Sequence, residues 1–331
     1  MAAVRATRPR VRMTHEGYAL RMPQNGVHDL TARITPDELL FLVTHFGLAE
    51  IDPDQWSLQI DGLVCHPQTM TLADLDRFSR IDVTSVHECA GSPLTPKEPK
   101  RRVGNVRWSG VALKDVLAWV GASPEATYVW SEGLEWGTFA GVEGVPFAKD
   151  LPLTKAPEAL LATHLNGAPL SADRGGPVRL VVPGWYGTNS VKWLGRLTLA
   201  DRRLDSPFTT RFYNDPMPDG PRPVWGIAPE CVIVAPSPHT SLRAGSETEV
   251  WGWAWAEDGV AAVDFSADGG ASWQPCAVEA PFGHSWQRFS IMWRAAAGRA
   301  VLMARCRDIH GQAQPASGAR NAIHAIDLSV N

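Results

Sequence analysis

Apolar and polar positions alternate with period two at residues 56–64 (WSLQIDGLV), which predicts a half-buried strand. Thr71 followed by Asp74 is a capping box of the Asp type and predicts a short helix start. Residues 113–120 carry helical spacing, and Gly121 stands where a C-cap belongs. Residues 178–182 (VRLVV) read as a buried strand stopped by Pro183 and Gly184. Strand and helix signals alternate irregularly over residues 1–220, so an α+β fold is expected there.

The segment 215–223 (DPMPDGPRP) holds four prolines and a glycine and reads as a linker. Beyond it the pattern is β only. Strands are expected at 231–235, 248–256, 263–266, 272–278, 286–293, 300–307 and 322–330. In 251–255 (WGWAW) the tryptophans share one face and Gly252 and Ala254 the other, as in a packed sheet. Asp268-Gly269-Gly270 predicts a hairpin turn. Seven short strands suit an immunoglobulin-like sandwich over residues 221–331.

Composition narrows the class. The formal charge is −4 over 331 residues, with 20% charged and 44% hydrophobic positions, so bulk positive charge for nucleic acid is missing. No apolar run reaches the roughly 18 residues of a membrane span. The basic start lacks an apolar segment behind it, so no secretory signal is visible; the chain as it stands reads as cytoplasmic, and a periplasmic form would have lost its signal. Glycine (29) and proline (26) are dense, which favours strands and loops over long helices. The five cysteines are odd in number and form no CxxC, so reduced thiols are expected.

Three groups could carry chemistry. Cys89, in His87-Glu88-Cys89-Ala90-Gly91-Ser92, leaves a β-rich run for a glycine turn, so its thiol is a candidate nucleophile or soft-metal ligand. The same cysteine would serve as a small core residue. Arg174, Arg179 and Lys192 are spread among glycine turns at 175–176, 184 and 187, where backbone can approach an anion closely. The bland reading is a solvated turn-rich surface. Lys97, Lys100, Arg101 and Arg102 form a basic loop soon after Cys89. Most such runs are solvated faces.

The segments together resemble a known family. Cys-Ala-Gly at 89–91, VGNVRWSG at 103–110, LNGAPL at 165–170, GPVRLVVPGWYG at 176–187 and SVKWL at 190–194 look like the sulfite oxidase family of molybdenum enzymes. SADGGASW at 266–273 and RCRDIHG at 305–311 resemble that family's immunoglobulin-like dimerisation domain. RMPQN at 21–25 and YNDPMPDG at 213–220 look closer to the bacterial sulfane dehydrogenase branch.

The resemblance implies a molybdopterin-binding catalytic domain at 1–220 and a dimerisation domain at 221–331. It implies one molybdenum on a pyranopterin, with Cys89 as metal ligand and catalytic centre. Arg179 and Tyr213 would act there too, Tyr213 lining the substrate pocket. His45, Glu135, Arg174, Arg179, Ser190, Val191 and Lys192 would surround the cofactor. The implied reaction is oxidation of sulfite to sulfate, electrons leaving to an external acceptor such as a c-type cytochrome. The implied partners are a small anionic sulfur substrate and a second copy of the chain, with no nucleic acid and no membrane. No cytochrome b5-like segment and no CxxCH occurs, so no haem is expected.

The sequence departs from the family in several places. Val43 replaces an arginine two positions before His45, and Ser92-Pro93-Leu94 replaces a basic pair. Glu135 stands for aspartate and Arg174 for histidine, and the loop between Cys89 and Gly104 is short. Alternatives therefore stay open: sulfane sulfur or an S- or N-oxide as substrate, or a non-catalytic member. If the basic loop folds over the metal, its cations would replace the missing ones. A zinc or thiol enzyme on His87 and Cys89 needs further ligands or a base that the spacing does not supply.

Overall fold

The computed structural model describes residues 11–92, 100–238 and 240–331, with the side chains of residues 15 and 16 excepted. Strands dominate. Among the described residues the α-helices are Leu113–Val120 and Pro207–Thr210, beside short 3-10 turns. Among the described residues no helix is long and apolar enough to cross a membrane. The helical share is smaller than an α+β reading suggests, because the dense prolines and glycines stop most helical starts within one turn. Asp74 Oδ2 accepts from Thr71 N at 2.9 Å and Oγ1 at 2.8 Å, but the element here is the 3-10 helix Ala73–Arg77, whose N-cap is Leu72 and carries no side-chain cap. Helix Leu113–Val120 ends as its sequence dictates, with Gly121 left-handed at φ +66°.

Two compact units are present, and neither is continuous in sequence. The first is Met1–Arg21, Leu42–Val83 and Arg107–Trp225; the second is Met22–Phe41, Thr84–Val106 and Gly226–Asn331.

In the first unit, Ala148–Pro152, Tyr128–Gly133, Leu194–Ala200, Ser57–Gly62 and Gln68–Thr71 lie side by side in that order. Neighbours are antiparallel except Leu194–Ala200 against Ser57–Gly62. Trp56, Leu58 and Ile60 enter the core, as the period-two pattern requires. Leu160–Leu165 pairs with Arg179–Val181 and with residues 108–112. A β-carbon on Gly110 would lie 2.0 Å from the Leu161 carbonyl, so this pairing needs glycine. Residues 214–215 and 222–223 of the proline-rich segment pair as a small hairpin rather than running on as linker. Trp185 and Trp225 stack, 5.0 Å apart and 9° from parallel.

The second unit holds two four-stranded sheets. One is Glu230–Ala235, Glu247–Trp255, Gln287–Arg294 and Ala277–Val278; the other is Gln274–Pro275, Val260–Ser266, Gly298–Asp308 and Ala325–Val330. Ile233, Val250, Phe265, Leu302 and Ile326 fill the core with others from both sheets. The turn at Asp268 forms with Gly269 and Gly270 at positive φ, and Asp268 accepts from Ser272 N at 2.9 Å. The tryptophan face of Glu247–Trp255 does not point into that core. Trp253 Nε1 donates to Leu30 O at 2.6 Å, and its ring stacks on Trp286 at 4.7 Å and 7°. Trp255 Nε1 donates to Glu88 at 2.9 Å. Leu30 and Glu88 therefore help cover this face, and residues 252–255 are buried on both sides.

Candidate active site

In the first unit three cations share one place. Gly175 adopts φ +88°, and a β-carbon there would lie 2.6 Å from Lys192 Cβ, so glycine lets the Lys192 segment close on this turn. Trp193 N then reaches Gly175 O at 3.0 Å, and Trp193 Nε1 reaches Ala172 O at 2.8 Å. Arg179 arrives on its strand with the guanidinium 4.9 Å over the Trp108 ring. Its Nη1 donates to Arg174 O at 3.1 Å and its Nη2 to Ser190 O at 2.9 Å. Its Nε is buried without a partner. Arg174 is buried too. Lys192 Nζ donates to Val43 O at 2.8 Å.

Burial, then Arg174, pushes Arg179 down to about 9. Burial, then Arg179 and Arg174, pushes Lys192 down to about 7, with Glu135 opposing. Glu135 is 3% exposed, and one of its oxygens has no partner. Burial raises it to about 7 against Lys192 and the Phe46 N–H. Crowded, desolvated cations with an orphaned N–H suit a dianion such as a phosphate.

Ser190 and Val191 serve mainly the scaffold. Ser190 Oγ accepts from Val182 N at 3.1 Å. The Val191 side chain is wholly in the hydrophobic core, so any ligand contact there falls to backbone.

His45 Nε2 and the Tyr213 hydroxyl share a hydrogen bond. The imidazole stacks on Phe147 at 4.5 Å and meets Phe139 edge-on at 4.9 Å. Phe208 completes the wall. It is fixed by a short capped helix: Phe208 N donates to Ser206 Oγ, and Ser206 N to Thr209 Oγ1. Burial, then Lys192 and Lys149, pushes His45 down to about 3, so the ring is neutral at physiological pH. Lys149, 1% exposed, donates to Phe208 O at 2.8 Å and lies 5.2 Å over the Tyr213 ring. Tyr213 itself sits at φ +59°, which a bulky residue adopts only when its surroundings hold it.

Cys89 belongs to the second unit. Its N donates to Arg102 O at 2.9 Å, and Gly91 N donates to Sγ at 3.4 Å. Burial raises the thiol, while the Gly91 N–H and Arg102 oppose the rise. Ser92 Oγ accepts from Arg102 N at 2.6 Å, which closes the turn. The basic loop does not present its cations together. Arg102 faces Cys89 and Lys100 is exposed, but Arg101 is 0% exposed and donates to Glu230 at 2.7 Å. A buried carboxylate from a distant strand has drawn it inward. Lys97, Pro93 and Leu94 lie outside the described residues. His87 stacks on Phe41 at 5.5 Å. Among the described residues no three His, Cys, Asp or Glu side chains converge as a metal site, and all five thiols are free.

The structure thus brings together Arg174, Arg179, Ser190, Lys192 and Glu135, and separately pairs His45 with Tyr213. Lys149 and Trp108 escaped the sequence reading as site residues, whereas Arg102 was expected there only as one cation of the basic loop. Lys149 sits in a short mixed stretch (FAKD) that carries no sign of burial.

Comparison with known proteins decides the family. The profile for the oxidoreductase molybdopterin binding domain matches residues 45–208, and that for the Mo-co oxidoreductase dimerisation domain matches residues 222–327. The chain belongs to the sulfite oxidase family. Rat mitochondrial sulfite oxidase is 32% identical over 289 residues, 79% of this chain and 52% of that protein. Human mitochondrial sulfite oxidase is 31% identical over 310 residues, 83% and 56% of the two chains. The chain therefore spans little more than half the length of these relatives. The crystal structure of the sulfane dehydrogenase SoxCD of Paracoccus pantotrophus matches with TM-score 0.80 and 28% identity, covering 99% of this chain and 88% of that one.

Proposed function

We propose that this chain is a molybdopterin-dependent oxidoreductase that converts sulfite to sulfate and passes electrons to an external acceptor such as a c-type cytochrome. The observation that carries the reading is the buried trio Arg174, Arg179 and Lys192 with the orphaned Arg179 Nε. Those residues fit the terminal phosphate and pterin edge of the cofactor. When bound, the cofactor supplies oxygen-atom transfer and the two-electron redox change.

The chain's own residues do the rest. Arg174, Arg179 and Lys192 would hold the phosphate and pterin, and charging them fully is part of what binding gains. Glu135, raised by burial to about 7, would donate as well as accept once protonated. Cys89 would ligate the metal as thiolate, with the Gly91 N–H and Arg102 offsetting its charge. The Tyr213 hydroxyl, beside a neutral His45, would hold a substrate oxygen.

The sulfite oxidases among the relatives support sulfite as substrate. Sulfane sulfur is the second reading, favoured by the Paracoccus match and by the missing cation at Val43. Cofactor-loaded protein assayed with sulfite and with thiosulfate against an artificial electron acceptor separates them. Turnover of thiosulfate alone moves the assignment to sulfane sulfur, and protein that takes up no molybdenum ends both readings.

Arg179→Ala is expected to weaken cofactor retention. A charge-assisted contact to phosphate contributes about 1.5–3 kcal/mol, so occupancy after dialysis should correspond to roughly ten- to a hundredfold weaker binding. Full pterin content, measured by fluorescence after oxidation, would remove Arg179 from this role.

The finer fold reading is an α+β catalytic domain at 1–220 and an immunoglobulin-like dimerisation sandwich at 221–331. Phe282 and Met292 expose large apolar side chains in the second unit, as a dimer interface would use. Light scattering is expected to give twice the chain mass; a monomer across a concentration series contradicts the interface.

A further inference from the structure

Lys149 is out of place for a lysine. It sits on the strand Ala148–Pro152, almost without exposure, and uses its ammonium on one carbonyl, Phe208 O. Among the described residues it has no carboxylate within ion-pair distance. Its neighbour Asp150 is already committed, accepting from Arg203 Nε at 2.9 Å, Arg203 Nη2 at 3.0 Å and Leu204 N at 3.0 Å. The aromatic walls contributed by Phe139, Phe147, Phe208 and Phe212 bring no charge. What the ammonium faces is the Tyr213 ring, whose hydroxyl bonds His45. The other cation acting on His45 is Lys192, and Val43 adds none. A buried charge without its counter-ion is costly, and such arrangements persist where something else completes them.

We infer that Lys149 is a positioning residue for an anionic substrate: its uncompensated charge behind Tyr213 makes that hydroxyl a stronger donor to a bound oxyanion. The inference rests on the reading that Tyr213 lines the substrate pocket. The ring transmits the effect because a cation against its face draws electron density from the phenol oxygen. Low local dielectric preserves the field, and surface salt screens it little. Burial pushes Lys149 down to about 8, with Asp150 opposing and Arg203 adding to the shift, so the charge is present at neutral pH and lost in mild alkali.

The test uses sulfate, a redox-inert oxyanion, titrated calorimetrically into the cofactor-loaded protein over a pH series. In the wild type, affinity should fall as pH rises through about 8. Lys192, pushed down to about 7, gives a separate limb that all Lys149 variants keep. Lys149→Met should bind sulfate about tenfold more weakly at pH 7 and lose the upper limb. Lys149→Arg, charged throughout, should stay within about threefold of wild type at pH 7 and also lose that limb. Sulfite KM should rise in Lys149→Met by the same factor with kcat nearly unchanged, and its melting temperature should not fall, since methionine replaces an unpaired buried ammonium. Lys149→Met with wild-type affinity and an intact limb overturns the inference. Weakened sulfate binding in Tyr213→Phe alongside it would leave the pocket reading standing. A wild type that binds no sulfate overturns both. Where Lys149→Met fails to fold, the wild-type profile decides, and affinity constant through the upper limb overturns the inference.

Discussion

Cys89→Ser is expected to lose all measurable sulfite turnover while keeping the wild-type melting curve. The thiol holds a turn already closed by backbone, through Cys89 N to Arg102 O and Ser92 N to Cys89 O. Serine preserves both bonds and is only slightly smaller, so stability should change by no more than about 1 kcal/mol. Chemistry is another matter. Burial raises the Cys89 thiol, so a bound metal would be what turns it into a thiolate. A serine hydroxyl is harder and far less acidic, and does not replace sulfur at a soft centre. Activity should be read beside molybdenum content and thermal unfolding. Turnover at the wild-type rate in folded Cys89→Ser protein would end the assignment. Cys231 and Cys306, which point at Gln314 Oε1 from 3.2 and 3.6 Å, should be replaceable without loss of turnover.

Arg101→Met should destabilise the protein by about 3–5 kcal/mol, the cost of leaving buried charge without its partner. Arg101 serves two buried carboxyls. It bonds Glu230, and it opposes the burial and the Glu230 charge that together hold Glu88 well above the usual carboxylate range. Burial raises Glu230 also, against the pull of Arg101. The native state therefore keeps protons that the unfolded chain releases above about pH 4.3. Its stability falls as pH rises from there toward the raised native values. Removing Arg101 should steepen that decline. His324 works in the opposite direction: burial, then Arg101 and His28, pushes it down to about 4. The unfolded chain protonates this histidine first, so its contribution is lost as pH falls from about 6.5 to 4, and less so in the variant. Urea midpoints measured across a pH series check both limbs; an unchanged midpoint at pH 7 would refute the burial argument.

Local rules in the chain foretold local structure. Gly121 ends its helix, Asp268-Gly269-Gly270 turns its hairpin, and Trp56, Leu58 and Ile60 face the core, because each depends on neighbours within a few positions. Long-range burial was not legible in the same way. Arg101 reads as one cation of a solvated loop, yet its partner Glu230 lies 129 positions away. Lys149 reads as a surface lysine, and only the helix that brings Phe208 to it shows otherwise. His45 and Tyr213 were each matched by resemblance to the family, but their direct bond spans 168 positions and no spacing announces it. The compact units were illegible for the same reason: a composition shift marks a point on the chain, whereas Leu30 and Glu88 join the C-terminal strands through contacts made only after folding.

The stacked indoles give this protein two internal optical reporters. Trp253 and Trp286 lie nearly parallel at 4.7 Å in the second unit, and Trp185 and Trp225 nearly parallel at 5.0 Å in the first. Transition dipoles that close couple strongly, so each pair should give an exciton signature in circular dichroism that vanishes when its rings separate. Trp286→Phe would silence one signature and Trp225→Phe the other. The two units, interleaved along the chain, could then be followed separately by comparing the denaturation of the two variants.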